Sequence, residues 1–271
     1  MMRTDLMSTS QSKKRSSIAI QWAAIYALFM REILTRFGHY RLGYLWVVLE
    51  PAMHVGFMMV LFGAVIKHTI PGMSYSMFLI GGILPWFLFS NSAGRALGAV
   101  AGNKGLFHYR IIKPIDTIIA RVGLESFIYF LTFLFFALIL AFFGDFISLS
   151  HIPILLLCWL GVILYSFSVS LIMMVIGSYS GDIEKIVGAV LRIMYFASGI
   201  LYSVHIIPER YQIYILWNPI VHVIEVMRFS LSPQYPIGHV SLFYFFSCTF
   251  VLLCFGLLMY RARERAMLTS S

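Results

Sequence analysis

Groups that can trade protons, bind metal or attack a substrate are scarce in this sequence: eleven Asp and Glu, eight His and three Cys in 271 residues. Their spacing does not suit catalysis. No HExxH pair is present, and no GxxxxGK[ST] loop that would cradle nucleotide phosphates on backbone amides. His54, His205 and His222 lie near apolar segments without metal-ligand spacing. The run Gly177-Ser178-Tyr179-Ser180-Gly181 has Tyr where a nucleophile elbow GxSxG has its Ser. Cys158, Cys248 and Cys254 sit singly in apolar runs, which points to packing.

A second set of ionisable residues lies in or beside long apolar runs, where charge is expensive and therefore informative. Glu50 precedes Pro51, Glu125 interrupts a later run, and Arg192 follows Lys185 by two helical turns. These groups either line a polar pathway or brace a dimer, or they pair between helices, a carboxylate with Arg41 or Arg121. Glu225 and Arg228 are three residues apart, which fits a local ion pair. Gly94, Gly98 and Gly102 repeat at four-residue spacing, which suits close helix packing. The stretch Asn103-Lys104-Gly105-Leu106-Phe107-His108-Tyr109-Arg110 is basic and aromatic, longer than a turn requires, as a partner-docking surface would be. Aromatics are abundant, among them Trp46, Trp86, Phe87, Phe89, Tyr195, Phe196, Tyr202 and Trp217. They fit an interface belt, packing, or a corridor whose rings stack on sugar faces.

The elements that must position these residues are membrane helices. The chain is 60% hydrophobic and 11% charged, with mean hydropathy +0.87, whereas a soluble domain carries roughly a quarter charged residues. Six apolar stretches, 43–66, 75–94, 116–143, 152–177, 186–202 and 240–260, approach the length of about 20 residues that a spanning helix needs. Residues 1–16 are polar, with no secretory-signal pattern, and are expected to be disordered. In 17–38 apolar residues recur at helical spacing, but Arg31, Glu32, Thr35 and Arg36 interrupt them. The segment reads as an amphipathic helix in the cytoplasmic interface, or as a short soluble helix. Segment 203–239 is apolar yet broken by Pro208, Pro219, Pro233 and Pro236, a pattern for half-helices re-entering the outer leaflet.

The basic residues set the orientation. With a cytoplasmic N-terminus, all of the twenty Lys and Arg residues except Lys67, Arg210 and Arg228 fall inside. Both termini are then cytoplasmic, with 261–271 as a tail. The net charge of +9 follows this placement and forms no stripe for nucleic acid. No internal repeat is visible, which weakens a secondary-transporter reading.

In order along the chain stand Arg36-Phe37-Gly38, Arg41-Leu42-Gly43-Tyr44-Leu45-Trp46, Glu50-Pro51 and Pro85-Trp86. Lys113-Pro114, Arg121, Glu125, Tyr195 to Gly199, Pro208 and Trp217-Asn218-Pro219 follow. From about Ile20 onward this pattern resembles the ABC-2-type permeases, most closely the KpsM-like capsular polysaccharide export permeases. The resemblance implies an all-α six-span domain over 39–260, without catalytic residues, bound metal or cofactor. It implies a homodimer in the bacterial inner membrane, with two cytoplasmic ATPase subunits that bind ATP and Mg, and a periplasmic co-polymerase or export adaptor. The implied substrate is an acidic, lipid-linked capsular polysaccharide, moved from cytoplasm to periplasm. Lys104, Phe107, His108, Tyr109 and Arg110, braced by Arg31 and Arg36, become the ATPase-coupling set. Arg41, Trp46, Glu50, Trp86, Arg95, Arg192, Tyr195 and Phe196 become glycan-pathway residues. Three alternatives stay open: an O-antigen or teichoic-acid exporter, an intramembrane enzyme using Glu50, His54 and Glu125, and a passive channel or secondary carrier.

Overall fold

The computed structural model describes residues 16–38, 45–63, 70, 72–107 and 111–269. Among these residues every regular element is helical. In chain order they are α1 (Ser17–Phe37), α2 (Trp46–Gly63), α3 (Tyr75–Leu97), a 3-10 turn (Ala101–Leu106), α4 (Pro114–Phe142), α5 (Ile152–Gly177), α6 (Asp182–Ala197), α7 (Glu209–Leu216), α8 (Pro219–Leu231) and α9 (Leu242–Thr269). Local chemistry sets the starts. Ser16 Oγ accepts from the Ala19 amide at 3.2 Å and Ser74 Oγ from the Met77 amide at 3.4 Å, each capping a helix. Asn218 caps α8 immediately before Pro219, the position where a missing N–H costs nothing.

α3 and α5 form the centre of the bundle, with Phe78, Leu79, Ile83, Leu84 and Leu88 of α3 fully enclosed. Their close approach at the end that carries the 101–106 turn, called the inner end below, depends on Gly177, where a Cβ would collide with the Leu97 carbonyl. Farther along, Gly256 of α9 lies against the Ser168 carbonyl, which a Cβ would meet at 3.0 Å. The Gly94, Gly98 and Gly102 repeat is not used in this way. A Cβ at Gly94 or Gly98 meets nothing within 4 Å, and one at Gly102 meets only the tip of Arg121. The expected close packing is therefore real but falls at other glycines.

The opposite end, called the outer end below, is organised by Arg228, which is fully buried. Its guanidinium donates to Glu225 Oε1 at 2.7 Å, to the carbonyls of Gly199 and Ile200 at 2.9 and 2.8 Å, and to the Phe78 carbonyl at 3.3 Å. It also lies 3.5 Å from the centre of the Phe78 ring. Tyr235 donates to Glu225 Oε2 at 2.8 Å and shares a hydrogen bond with Ser203. The predicted local pair is present, but it also ties α8 to α3 and to the turn after α6. That turn explains why α6 stops at Ala197 and does not run to 202. Gly199 takes φ 65°, which presents its carbonyl and the next to Arg228. α8 is buried along nearly its whole length.

Outward faces of α4 and α9 carry Phe142, Phe143, Phe243, Phe250 and Leu258, all exposed. Such a surface matches lipid better than water, and the chain is an all-α integral membrane protein with several spanning helices. Five helical segments are long and apolar enough to cross: Ser17–Phe37, Tyr75–Leu97, Pro114–Phe142, Leu149–Gly177 and Leu242–Leu268. This set differs from the six stretches read from sequence. The apolar part of α2, Trp46–Leu61, is shorter, and Asp182, Glu184 and Lys185 make the start of α6 polar. α9 does not end at 260 but continues as helix to Thr269. The expectation for 1–15 lies outside the described residues.

Removing one member of the outer network tests its weight. Arg228→Met strands the Glu225 carboxylate, and breaking such a buried pair costs about 3–5 kcal/mol. The detergent-solubilised variant should melt well below the parent in a thermal unfolding assay.

Candidate functional site

A polar seam runs along the inner side of α1. Gln21 Nε2 donates to Asp116 Oδ1 at 2.6 Å, and Arg31 Nη1 to Asn103 Oδ1 at 2.8 Å. Arg121 pairs with Glu32 at 3.3 Å, and Arg36 Nη1 donates to Glu125 Oε1 at 2.7 Å. The span from Gln21 to Arg36 on α1 maps onto the shorter span from Asp116 to Glu125 on α4. The opposite face of α1 leaves Ile18, Trp22, Tyr26 and Leu34 exposed. Arg31 and Arg36 are the two cations expected to brace the 103–110 stretch, and of the two only Arg31 is placed beside it. Arg31 touches the 3-10 turn directly, while Arg36 is committed to Glu125.

The turn itself has two faces. Ala101, Gly102, Lys104 and Gly105 are exposed, whereas Asn103 is buried and donates to the Ala99 carbonyl at 2.9 Å. Phe107 is only 7% exposed and packs in a cluster with Val100, Ile118, Val122, Tyr260 and Met267. This corrects its reading as a docking residue: the ring anchors the turn to the bundle. The inner end of α9 supplies part of that anchor, because Met267 is buried and Tyr260 donates to Glu264 at 2.7 Å. His108, Tyr109, Arg110 and Arg41 lie outside the described residues.

Glu125 is a junction of helices. With 1% exposure, it receives Arg36 of α1 and, at 2.9 Å, Arg95 Nε of α3. Arg36 also lies 3.9 Å from Glu50 of α2, which is largely exposed. The carboxylates Glu50 and Glu125, predicted as pathway or pairing groups, are here paired through Arg36. Arg121 pairs with Glu32 instead. Trp46 packs beside Phe29, Ile33 and Phe37 at the same junction.

The remaining pathway candidates converge on a cleft of about 480 Å³ between α2, α3 and α6. Trp86, Arg192, Tyr195 and Phe196 line it together with His54 and Asn91. Its rings form an ordered stack: Phe87 lies parallel to Tyr195 at 6.0 Å, and His54 stands edge-on to Phe87 at 4.7 Å. Asn91 hydrogen-bonds the Tyr129 hydroxyl one turn from the Arg95–Glu125 pair. A larger cleft of about 620 Å³ opens at the outer end among Gln212, Leu216, Trp217, His222 and Tyr244. Among the described residues, no three His, Cys, Asp or Glu side chains are placed to hold a metal.

Sequence reasoning missed Gln21 and Asp116 and read Asn103 only as the start of the 103–110 stretch. A polar residue on an amphipathic helix, such as Gln21, is equally explained by water, and Asp116 by the helix start that it caps.

Together these contacts give a membrane bundle with an aromatic cleft and a braced turn. The ABC-2 type transporter model matches residues 23–232, and the chain belongs to that family, as its non-catalytic membrane permease component working with ATPase partners. It is 43% identical over 256 residues to the polysialic acid transport protein KpsM of Escherichia coli, covering 94% of this chain and 99% of that protein. It is 26% identical to the capsule polysaccharide export inner-membrane protein BexB of Haemophilus influenzae, covering 92% and 94% of the two chains. The O-antigen export system permease protein RfbA of Klebsiella pneumoniae is 24% identical, covering 86% and 90%.

The two faces of the turn should respond differently to substitution. Phe107→Ala opens a cavity and should destabilise by about 3–5 kcal/mol. Lys104→Ala, on the exposed face, should shift stability by no more than about 1 kcal/mol. Melting of the two purified variants separates an anchor from a surface group.

Proposed function

We propose that this chain is the permease of an ATP-driven exporter that moves an acidic, lipid-linked capsular polysaccharide from cytoplasm to periplasm across the bacterial inner membrane. The observation that carries this reading is the end-to-end similarity to the polysialic acid transport protein KpsM. Two copies form the channel, and two ATPase subunits bind ATP and Mg and dock on the exposed face of the 101–106 turn. A periplasmic co-polymerase or adaptor receives the polymer.

Several features support the arrangement. α2 and α6, which flank the aromatic cleft, leave Met53, Phe57, Val60, Ile186, Val190 and Ile193 exposed, so a second copy closes the cleft into a conduit. The polar contacts of α1 and its exposed apolar residues suit an amphipathic helix lying in the inner interface. Six crossings then come from α2, α3, α4, α5, α6 and α9. The short α7 and the buried α8 re-enter from outside, and both termini are cytoplasmic. Aromatic walls with few fixed hydrogen bonds let a polymer slide without tight binding. An intramembrane enzyme would need free acid–base groups, but Glu125 is held by two guanidinium groups and Glu50 lies beside one of them.

The test uses cells that depend on this chain for surface polysaccharide. Replacing Lys104 and Tyr109 together by Ala should leave the permease in the membrane. It should also abolish recovery of an ATPase with the tagged chain, and stop polymer from reaching the cell surface. Full export by that variant would overturn the docking assignment, and glycan modification by the purified chain alone would overturn the transport reading.

A further inference from the structure

Glu125 Oε1 serves two cations, and it does not hold them equally. Arg36 makes an aligned hydrogen bond at 2.7 Å, is 14% exposed, and has Glu50 as a second carboxylate nearby. Arg95 approaches the same oxygen at 2.9 Å, but its Nε–H is not aligned into a hydrogen bond and its side chain is 38% exposed. Of the two guanidinium groups, Arg95 is the one that can leave.

Its position gives it somewhere to go. Asn91 and Gly94 line the aromatic cleft, and Arg95 is one turn beyond Asn91 on the same face of α3. This end of α3 leads into the 101–106 turn, so Arg95 stands at the inner mouth of the cleft. Arg192 of α6 faces the cleft from another wall. A guanidinium group matches a carboxylate in geometry and charge, and it can exchange one carboxylate for another at little net cost.

We propose that Glu125 is the resident anion of an acid-sugar subsite. It holds Arg95 at the inner mouth of the cleft until a carboxylate on the arriving glycan takes its place. The proposal rests on the polysaccharide-export reading above and deepens it. A neutral sugar cannot displace a buried carboxylate from an arginine, so the resident anion rejects uncharged polymers. An acidic one enters with modest affinity, because it gains Arg95 only by breaking an existing pair, and modest affinity suits a polymer that must move on. The exchange is also felt elsewhere. Losing Arg95 leaves Glu125 with Arg36 of α1, and α1 is bonded through Arg31 to Asn103 in the inward turn. Occupancy of the cleft mouth and docking at the turn are then coupled in both directions.

The experiment uses the permease assembled with its ATPase in nanodiscs, with ATP turnover as the readout. The probes are an oligosaccharide of sialic acid and the same oligomer with its carboxyls reduced to alcohols. The parent complex should be stimulated by the acidic oligomer about 5-fold or more, within the usual range of coupling between sites, and not by the reduced one. Glu125→Gln should turn over ATP without oligomer and gain nothing from it. Arg95→Gln, at a partly exposed site that tolerates truncation, should assemble and lose the response to the acidic oligomer. Equal stimulation by both oligomers, or a parent-like response in Arg95→Gln, overturns the proposal. Stimulation by phosphatidylglycerol in the nanodisc without oligomer also overturns it, because the anion would then be a lipid phosphate. If the parent chain fails to export polysaccharide in cells, the broader reading fails. If it exports while the variants respond normally, only this inference fails.

Discussion

A carboxylate withdrawn from water costs several kcal/mol unless cations answer it, and the inner half of this protein is arranged around that requirement at Glu125. The answer comes from α1 and α3, through Arg36 and Arg95, while Arg36 also reaches toward α2. Three helices thus take their position relative to α4 from one side chain. The neighbouring Glu32–Arg121 and Gln21–Asp116 contacts extend the same seam toward the inner end of α4. Apolar packing alone would let α1 slide along the bundle, since lipid is as good a neighbour as leucine. Directed polar contacts fix both its register and its tilt.

The outer half solves the converse problem, a buried cation. Arg228 has no exposure at all, and half of its hydrogen bonds go to backbone carbonyls freed where α6 ends. The broken helix and the buried arginine therefore explain each other. Carbonyls that would be orphaned in hydrocarbon become ligands, and a charge that could not otherwise be placed there becomes the pin that holds α8 upright. Gly82 completes the arrangement, since a Cβ there would lie 2.6 Å from the guanidinium. Inner and outer ends are thus built by the same rule with opposite charges.

Much of this could be read from the chain alone. Apolar run length gave the membrane class and most helices, and the Arg36 to Glu125 stretch carried the family. The proline-broken segment 203–239 correctly signalled interrupted helices. Other features were not legible for definite reasons. The pairing of Glu125 with Arg36 and Arg95 joins residues far apart in sequence, and several arginines near the same apolar runs were equally plausible partners. Phe107 was misread because an aromatic in a basic loop has the same local pattern whether it faces a partner or the core. The glycine spacing at 94, 98 and 102 gave the right kind of contact at the wrong place, since helical periodicity identifies a face without saying what lies against it. Trp86, Arg192, Tyr195 and Phe196 were named for their chemistry, and their meeting in one cleft follows from the packing of α6 near α3.

α9 runs without a proline from Leu242 to Thr269, about 42 Å at the usual helical rise. Near its outer end Tyr244 donates to the Trp217 carbonyl, just before α8. Near its inner end Met267 packs with Phe107 beneath the inward turn. Between them Gly256 rests on the Ser168 carbonyl, with no side chain to keep the two backbones apart. One unbroken helix therefore joins the start of α8 to the floor of the 101–106 turn, so a shift at either contact is carried to the other as a rigid-body displacement and is not absorbed in a bend.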